Sequence, residues 1–142
     1  MSGLTAIICG GRTFGDTYTI DIFKFPDIYA QRTMQKCFQI AWLNDFHKKR
    51  PISVVGEGEA NGADNTAKIW TQAQGLILRP FPAPWKEHGK RAGSIRNQQM
   101  LDEVKPDVVI GFPGGTGTAH MLDIAKKAGV ETIKVKMPFL LS

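Results

Sequence analysis

The stretch VVIGFPGGTGTAH, from Val108 to His120, joins a short apolar run to a glycine-rich loop and to the start of an amphipathic segment. The apolar run predicts a buried strand over residues 107–111, and the periodicity after the loop predicts a helix over residues 118–128. Glycine lets the backbone approach a ligand closely, and the first N–H groups of a helix lack partners within it. The stretch therefore predicts a strand, loop and helix with an anion site at the turn.

The same alternation of strand and helix patterns continues along the whole chain. Short apolar runs predict four further strands, and periods near 3.6 predict three further helices. Asp27 and Ser94 are the expected caps of two of these helices, and residues 82–93 are expected to form a loop. The predicted strands cover residues 5–9, 52–55, 76–81 and 132–135, and the predicted helices cover residues 27–49, 63–74 and 94–104.

Alternating strands and helices predict an α/β fold with a mostly parallel five-stranded sheet and helices on both faces. A length of 142 residues fits one domain, residues 1–142. Residues 13–50 are expected to form a variable segment and a helix, with residues 13–26 the least regular part. Residues 137–142 are expected to form a tail.

Composition narrows the class of protein. Hydrophobic residues make up 42% and charged residues 22%, as in average globular domains. The apolar runs are too short to cross a membrane, and the N-terminus lacks the basic start of a signal peptide. Cys9 and Cys37 form neither a zinc pattern nor a disulfide framework, so a cytoplasmic location is expected. The net charge of +5 suits an anionic partner, and equally an ordinary solvated surface.

Glycines cluster at residues 10–11, 56–62 and 114–117, each time after a predicted strand. The carboxyl ends of parallel strands share one edge of the sheet, where ligands bind in open α/β folds. Three clusters at one edge favour ligand binding over simple turns. Neither the P-loop pattern nor a correctly placed G-x-G-x-x-G occurs, so neither known phosphate motif explains them.

Several polar and aromatic residues are expected beside this edge. Arg12 and Arg96 can each hold a phosphate with two hydrogen bonds, or form surface ion pairs. Trp85 can stack on a base or plug the loop against the core. Asp64 is expected to cap the helix that starts at residue 63 or to bond loop amides. His120 is expected either to contact a phosphate or to be half exposed.

Four blocks of the sequence, namely CGGRTFGD, GEANGAD, AGSIRNQQML and FPGGTGT, together resemble the YspA-like, YpsA-related branch of the SLOG superfamily. The resemblance extends over about residues 7–128. It implies a Rossmann-like fold, a nucleotide or nucleotide-derived ligand, and a homo-oligomer. The superfamily includes the Lonely Guy phosphoribohydrolases and the DNA-processing protein DprA.

Lonely Guy enzymes share the patterns R-K-x-x-M and P-G-G-x-G-T-x-x-E. Arg96 and Met100 match the first pattern, Asn97 stands at its lysine position, and residues 113–118 match the second. Met121 occupies the place of the catalytic glutamate, and a thioether cannot exchange a proton. Hydrolysis of a glycosidic bond would therefore need a replacement, for which Arg96, Glu57 and Asp16 are the candidates.

The sequence thus predicts a module that binds a nucleotide or an ADP-ribose-like ligand for sensing or sequestration. The alternatives are a Lonely Guy-like phosphoribohydrolase and a DprA-like nucleic-acid binder. No cofactor, metal site or membrane partner is expected. The predicted ligand-binding residues are Gly10, Gly11, Arg12, Gly56, Gly58, Asp64, Trp85, Arg96, Asn97, Pro113, Gly114, Gly115, Thr116, Gly117, Thr118 and His120.

Overall fold

The computed structural model describes residues 3–138, which form a single α/β domain around one five-stranded sheet. All neighbouring strands are parallel, and the strand order is β3-β2-β1-β4-β5. The predicted fold class is confirmed. The strands are β1 (Leu4–Cys9), β2 (Ile52–Glu57), β3 (Ile77–Pro80), β4 (Val108–Gly111) and β5 (Glu131–Lys134).

Five helices connect these strands, and the four long ones cover the two faces of the sheet. Buried residues alternate along β1: Ile8 packs with one pair of long helices and Ile7 with the other. Both faces of the sheet are therefore apolar, as in doubly covered parallel sheets. The helices are α1 (Pro26–Lys49), α2 (Ala63–Ala73), α3 (Trp85–His88), α4 (Ala92–Val104) and α5 (Thr116–Lys127), with α1 and α2 on one face and α4 and α5 on the other.

The two predicted helix caps are wrong, whereas α2 begins at Ala63 as predicted. Neither Asp27 nor Ser94 is an N-cap: α1 begins at Pro26 after Phe25, and α4 begins at Ala92 after Arg91. Proline at a first helical position needs no N–H partner, so α1 starts there without a side-chain cap. The predicted loop over residues 82–93 largely consists of α3 and a 3-10 turn, which lead directly into α4. The last predicted helix begins two residues early, at Thr116.

The irregular segment before α1 is attached to that helix by polar contacts. Gln35 accepts a hydrogen bond from Gly15 N at 3.0 Å, and Asp16 accepts one from Tyr18 N at 3.0 Å. Arg32 lies 4.0 Å from the Asp16 carboxylate. The segment therefore has a defined conformation beside the sheet edge.

At the other end of the chain, Val135 N donates to Gly111 O at 2.8 Å, and Met137 is buried in the core. The first residue of the predicted tail thus packs against the domain, and residues 139–142 lie outside the described part. No helix within residues 3–138 is long and apolar enough to span a membrane.

Candidate functional site

A cavity of about 660 Å³ opens at the carboxyl edge of the sheet. It lies between the loops that follow β1 and β4. These two strands are neighbours, and the chain leaves them in opposite directions along the sheet. Ligands of open α/β folds bind at such a switch point. We call this space the edge cavity. The predicted residues in its wall are Gly10, Gly11, Arg12, Gly58, Asp64, Trp85, Arg96, Asn97, Gly115, Thr116, Gly117, Thr118 and His120.

The other three predicted ligand-binding residues lie outside that wall. Gly56 is within β2, where a Cβ atom would lie 3.0 Å from Val104 Cγ2. A Cβ on Gly114 would meet Gly11 N at 2.6 Å, and Pro113 O accepts a hydrogen bond from Gly11 N at 2.9 Å. These residues allow close packing of the backbone and do not face the cavity. Sequence alone does not separate a glycine required by packing from one required by a ligand.

Six residues of the wall were not predicted from the sequence. Lys90 is exposed and adds a positive charge, and the available signal for it was its place just before the AGSIRNQQML block. Cys9 is the last residue of β1, and burial raises the pKa of its thiol well above the ordinary value. The six are Cys9, Ala60, Lys90, Gly93, Ser94 and Met100.

The start of α5 offers free hydrogen-bond donors to the cavity. Gly115 is the N-cap, without a side-chain cap, and Ala119 N is the first amide to bond back, to Gly115 O at 3.1 Å. The amides of Thr116, Gly117 and Thr118 donate to no group within residues 3–138. Free amides together with the positive end of the helix dipole attract an anion.

Arg12 is the uncommitted arginine of the cavity. Its guanidinium lies 4.8 Å from the centre of the Trp85 ring, a cation–π contact. It makes no hydrogen bond or ion pair with the described residues. Because the side chain is exposed at the cavity wall, its donors are available to a ligand.

Arg96, in contrast, is buried and already hydrogen-bonded. It donates to Gly58 O and Phe81 O, and its Nε donates to Asn97 Oδ1 at 3.0 Å. Burial lowers the pKa of Arg96. Asn97 Nδ2 in turn donates to Gly117 O at 3.1 Å. Arg96 and Asn97 thus connect the loop after β2 to the first turn of α5, so Arg96 positions the site.

Asp64 is the one carboxylate that lines the edge cavity within the described part of the chain. It accepts a hydrogen bond from Ala60 N at 3.3 Å, whereas the N-cap of α2 is Gly62. Of the two roles expected for Asp64, loop bonding is therefore the correct one. Burial raises its pKa to about 6, although nearby Arg96 and Arg12 act in the opposite direction.

Glu57 and Asp16, two of the candidate replacement catalytic groups, do not line the edge cavity. Glu57 is completely buried at the end of β2, where it accepts a hydrogen bond from Glu59 N at 2.7 Å. Asp16 is buried and bonded to Thr19 and Tyr18. Met121 is completely buried among core residues, while its neighbour His120 faces the cavity and lies 3.1 Å from Asn97 Nδ2.

These features define a Rossmann-like domain with a ligand-sized cavity at the sheet's switch point. Within residues 3–138, no three His, Cys, Asp or Glu side chains are grouped as metal ligands would be. The chain belongs to the YspA, cpYpsA-related SLOG family, called YAcAr, whose model matches residues 5–88. The match ends before the AGSIRNQQML and FPGGTGT blocks.

The chain is also similar to the Gene 61 protein of Mycobacterium phage D29. The two are 36% identical over 100 residues, which cover 66% of this chain and 79% of the phage protein.

Proposed function

We propose that the edge cavity binds a nucleotide or a nucleotide-derived ligand such as ADP-ribose, for sensing or sequestration. The observation that carries this proposal is the meeting of the free α5 amides and the uncommitted Arg12 in one cavity. Amides at a helix start and a guanidinium are the donors that phosphate oxygens prefer. Membership of a SLOG family supports a nucleotide-related ligand.

Arg12 is the residue to substitute in a test of this proposal. Replacing Arg96 would leave Gly58 O and Phe81 O without their donor and so disturb the fold. Arg12→Ala removes a charge without breaking a hydrogen bond. Arg91→Ala is a matched control, because Arg91 is exposed, close in sequence to Lys90 and absent from the cavity wall.

The experiment is a thermal-shift panel with AMP, ADP, ATP, NAD, ADP-ribose and cyclic nucleotides. We expect at least one ligand to raise the Tm of the wild type and of Arg91→Ala, because a ligand that binds only the native state stabilises it. We expect Arg12→Ala to weaken binding by roughly tenfold or more, the usual value of a charge-assisted hydrogen bond. Equal Tm shifts in Arg12→Ala and Arg91→Ala, or no Tm shift with any ligand, would overturn the assignment of the edge cavity as a ligand site.

A second candidate function, hydrolysis of the N-glycosidic bond, is favoured by Asp64. A carboxylate in the cavity wall with a pKa of about 6 can act as a general base near neutral pH. Asp64 would take a proton from a water molecule as the water oxygen bonds to C1′ of the ribose. The electrons of the broken glycosidic bond would leave with the nucleobase. Chromatography of the panel samples tests this: free base from wild type but not from Asp64→Asn supports hydrolysis, and intact ligand supports binding alone.

Cellular location belongs to the same proposal. Cys9 and Cys37 are both unpaired, and Cys9 is buried. Unpaired cysteines and a nucleotide ligand are compatible with the reducing cytoplasm. We therefore propose that the domain acts there.

A further inference from the structure

A second, smaller cavity of about 310 Å³ adjoins the edge cavity. The two share Arg12, Trp85 and Arg96, together with backbone of the loop after β2. The Arg12–Trp85 contact therefore lies at the boundary between the two spaces. Both volumes fall within the roughly 300–1,000 Å³ that small-molecule sites occupy.

The two cavities differ in chemistry. Only the edge cavity includes the free α5 amides and Lys90, the groups suited to a phosphate. The small cavity instead includes the carboxylate-bearing Glu59, which is paired with Lys68 at 3.2 Å. Because the free α5 amides and Lys90 belong to the edge cavity alone, an anion is favoured there.

The remaining walls of the small cavity suit a flat, neutral, hydrogen-bonding group. Pro82 and Ala83 present apolar surface, and Trp85 presents an indole that is about half exposed. Asn61 is exposed and its amide bonds to no described residue. An asparagine amide can pair with adjacent donor and acceptor groups on a base, as it does with adenine. Aromatic and guanidinium groups stack on bases of any kind.

We propose that the small cavity is the nucleobase subsite, so that the base and the phosphate of one ligand lie on opposite sides of the Arg12–Trp85 contact. This inference rests on the proposed function, since it assumes a phosphate at α5. The inference adds the position of the nucleobase, and it names Asn61 as the residue whose amide hydrogen-bonds to the edge of that base. A ligand without a base would use only the edge cavity.

Calorimetric titration of wild type with AMP, GMP, CMP, UMP and ribose 5-phosphate tests this arrangement. We expect the best mononucleotide to bind at least tenfold more tightly than ribose 5-phosphate. Ala83→Leu places bulk in the small cavity alone. It should therefore reduce the affinity for that nucleotide to the level of ribose 5-phosphate. The affinity for ribose 5-phosphate itself should change by less than twofold. Ala41→Leu, at an exposed position of α1 away from both cavities, should change neither affinity.

Asn61→Ala provides a second readout, since it should reduce the differences in affinity among the four nucleotides. Equal binding of the nucleotides and ribose 5-phosphate by wild type would overturn the base subsite while retaining the phosphate site. The base subsite is also overturned if Ala83→Leu still binds the nucleotide more tightly than ribose 5-phosphate. If neither nucleotides nor ribose 5-phosphate bind, the proposed function is wrong, and the inference with it.

Discussion

Individual residues at the sheet edge have different roles despite similar chemistry. Arg12 and Arg96 both line the cavity, but Arg12 makes no hydrogen bond to the described residues, whereas Arg96 donates to two loop carbonyls. Asp64 and Glu57 are both buried carboxyls, but only Asp64 reaches the cavity. These differences do not follow from position along the chain, because the carbonyls that accept from Arg96 belong to segments distant in sequence.

Glu57 makes stability depend on pH. Burial, reinforced by a hydrogen bond with the Glu59 side chain, raises the pKa of Glu57 to about 9. The native state therefore keeps a proton that the unfolded chain, with an ordinary glutamate pKa of about 4.3, has lost. The stability contributed by that proton is fully present below about pH 4.3 and is lost as the pH rises toward about 9.

Glu57→Gln should remove this dependence, because the amide is neutral at every pH and can still accept from Glu59 N. We expect the Tm of wild type to fall more steeply than that of Glu57→Gln between pH 6 and 9. Asp64, whose pKa is about 6, is present in both proteins, so its titration contributes to both profiles. Tm measured across this range by circular dichroism checks the prediction, and parallel profiles would contradict it.

Among the elements, the strands were the most predictable and the segments around α3 the least. The apolar runs predicted all five strands, and the signal is clearest for the central β1 and β4, which are covered on both faces and therefore apolar. The helical turns over residues 85–91 were missed, since two prolines, one glycine and four charged residues between 82 and 91 indicate a loop. The glycine clusters predicted the place of the cavity, but Lys90 reaches its wall through the 3-10 turn over residues 89–91, which the sequence did not predict.

The start of α2 depends on a glycine with a restricted conformation. Gly62 has φ 74° and ψ −128°, which side-chain-bearing residues rarely adopt. A Cβ there would collide with Gly11 O and lie 2.5 Å from Arg12 O. Gly11 O also accepts the hydrogen bond of Ala63 N at 3.1 Å, so α2 and the β1 loop pack through this point.

Gly62→Ala should therefore destabilise the domain by roughly 3 kcal/mol, through backbone strain and overpacking together. Gly75→Ala is the matched control: Gly75 has φ 71° and no atom within 4 Å of its Cβ position. Gly75→Ala should lower the free energy of unfolding by only about 1 kcal/mol, because backbone strain alone contributes. Urea unfolding measures both free energies, and equal losses would show that the contact with the β1 loop contributes nothing.

For the whole molecule, the positive charge is divided between two edges. Lysines and arginines at the ends of α1 and α5 lie at the edge opposite the cavity, where they complement the helix dipoles. Arg12, Lys90 and Arg96 belong to the cavity edge. Basic residues thus occur at both edges of the sheet and are not gathered at the cavity alone.

This distribution predicts how salt affects binding. Affinity for a mononucleotide should fall by less than about tenfold between 50 and 500 mM NaCl, because few ion contacts form in the cavity. A single-stranded oligonucleotide should bind no more tightly than the mononucleotide at any salt concentration. Fluorescence anisotropy with labelled ligands measures both. Tighter oligonucleotide binding with a steep salt dependence would favour the DprA-like function instead.

The central claim is that a phosphate binds at the start of α5. Titration of the ¹⁵N-labelled chain with AMP, followed by backbone amide NMR, tests it most directly. The account predicts that the largest shifts occur at the free amides of Thr116, Gly117 and Thr118. Shifts confined to the groove of about 630 Å³ between the distal ends of α4 and α5, around Lys105 and Lys127, or no shifts at millimolar AMP, would contradict it.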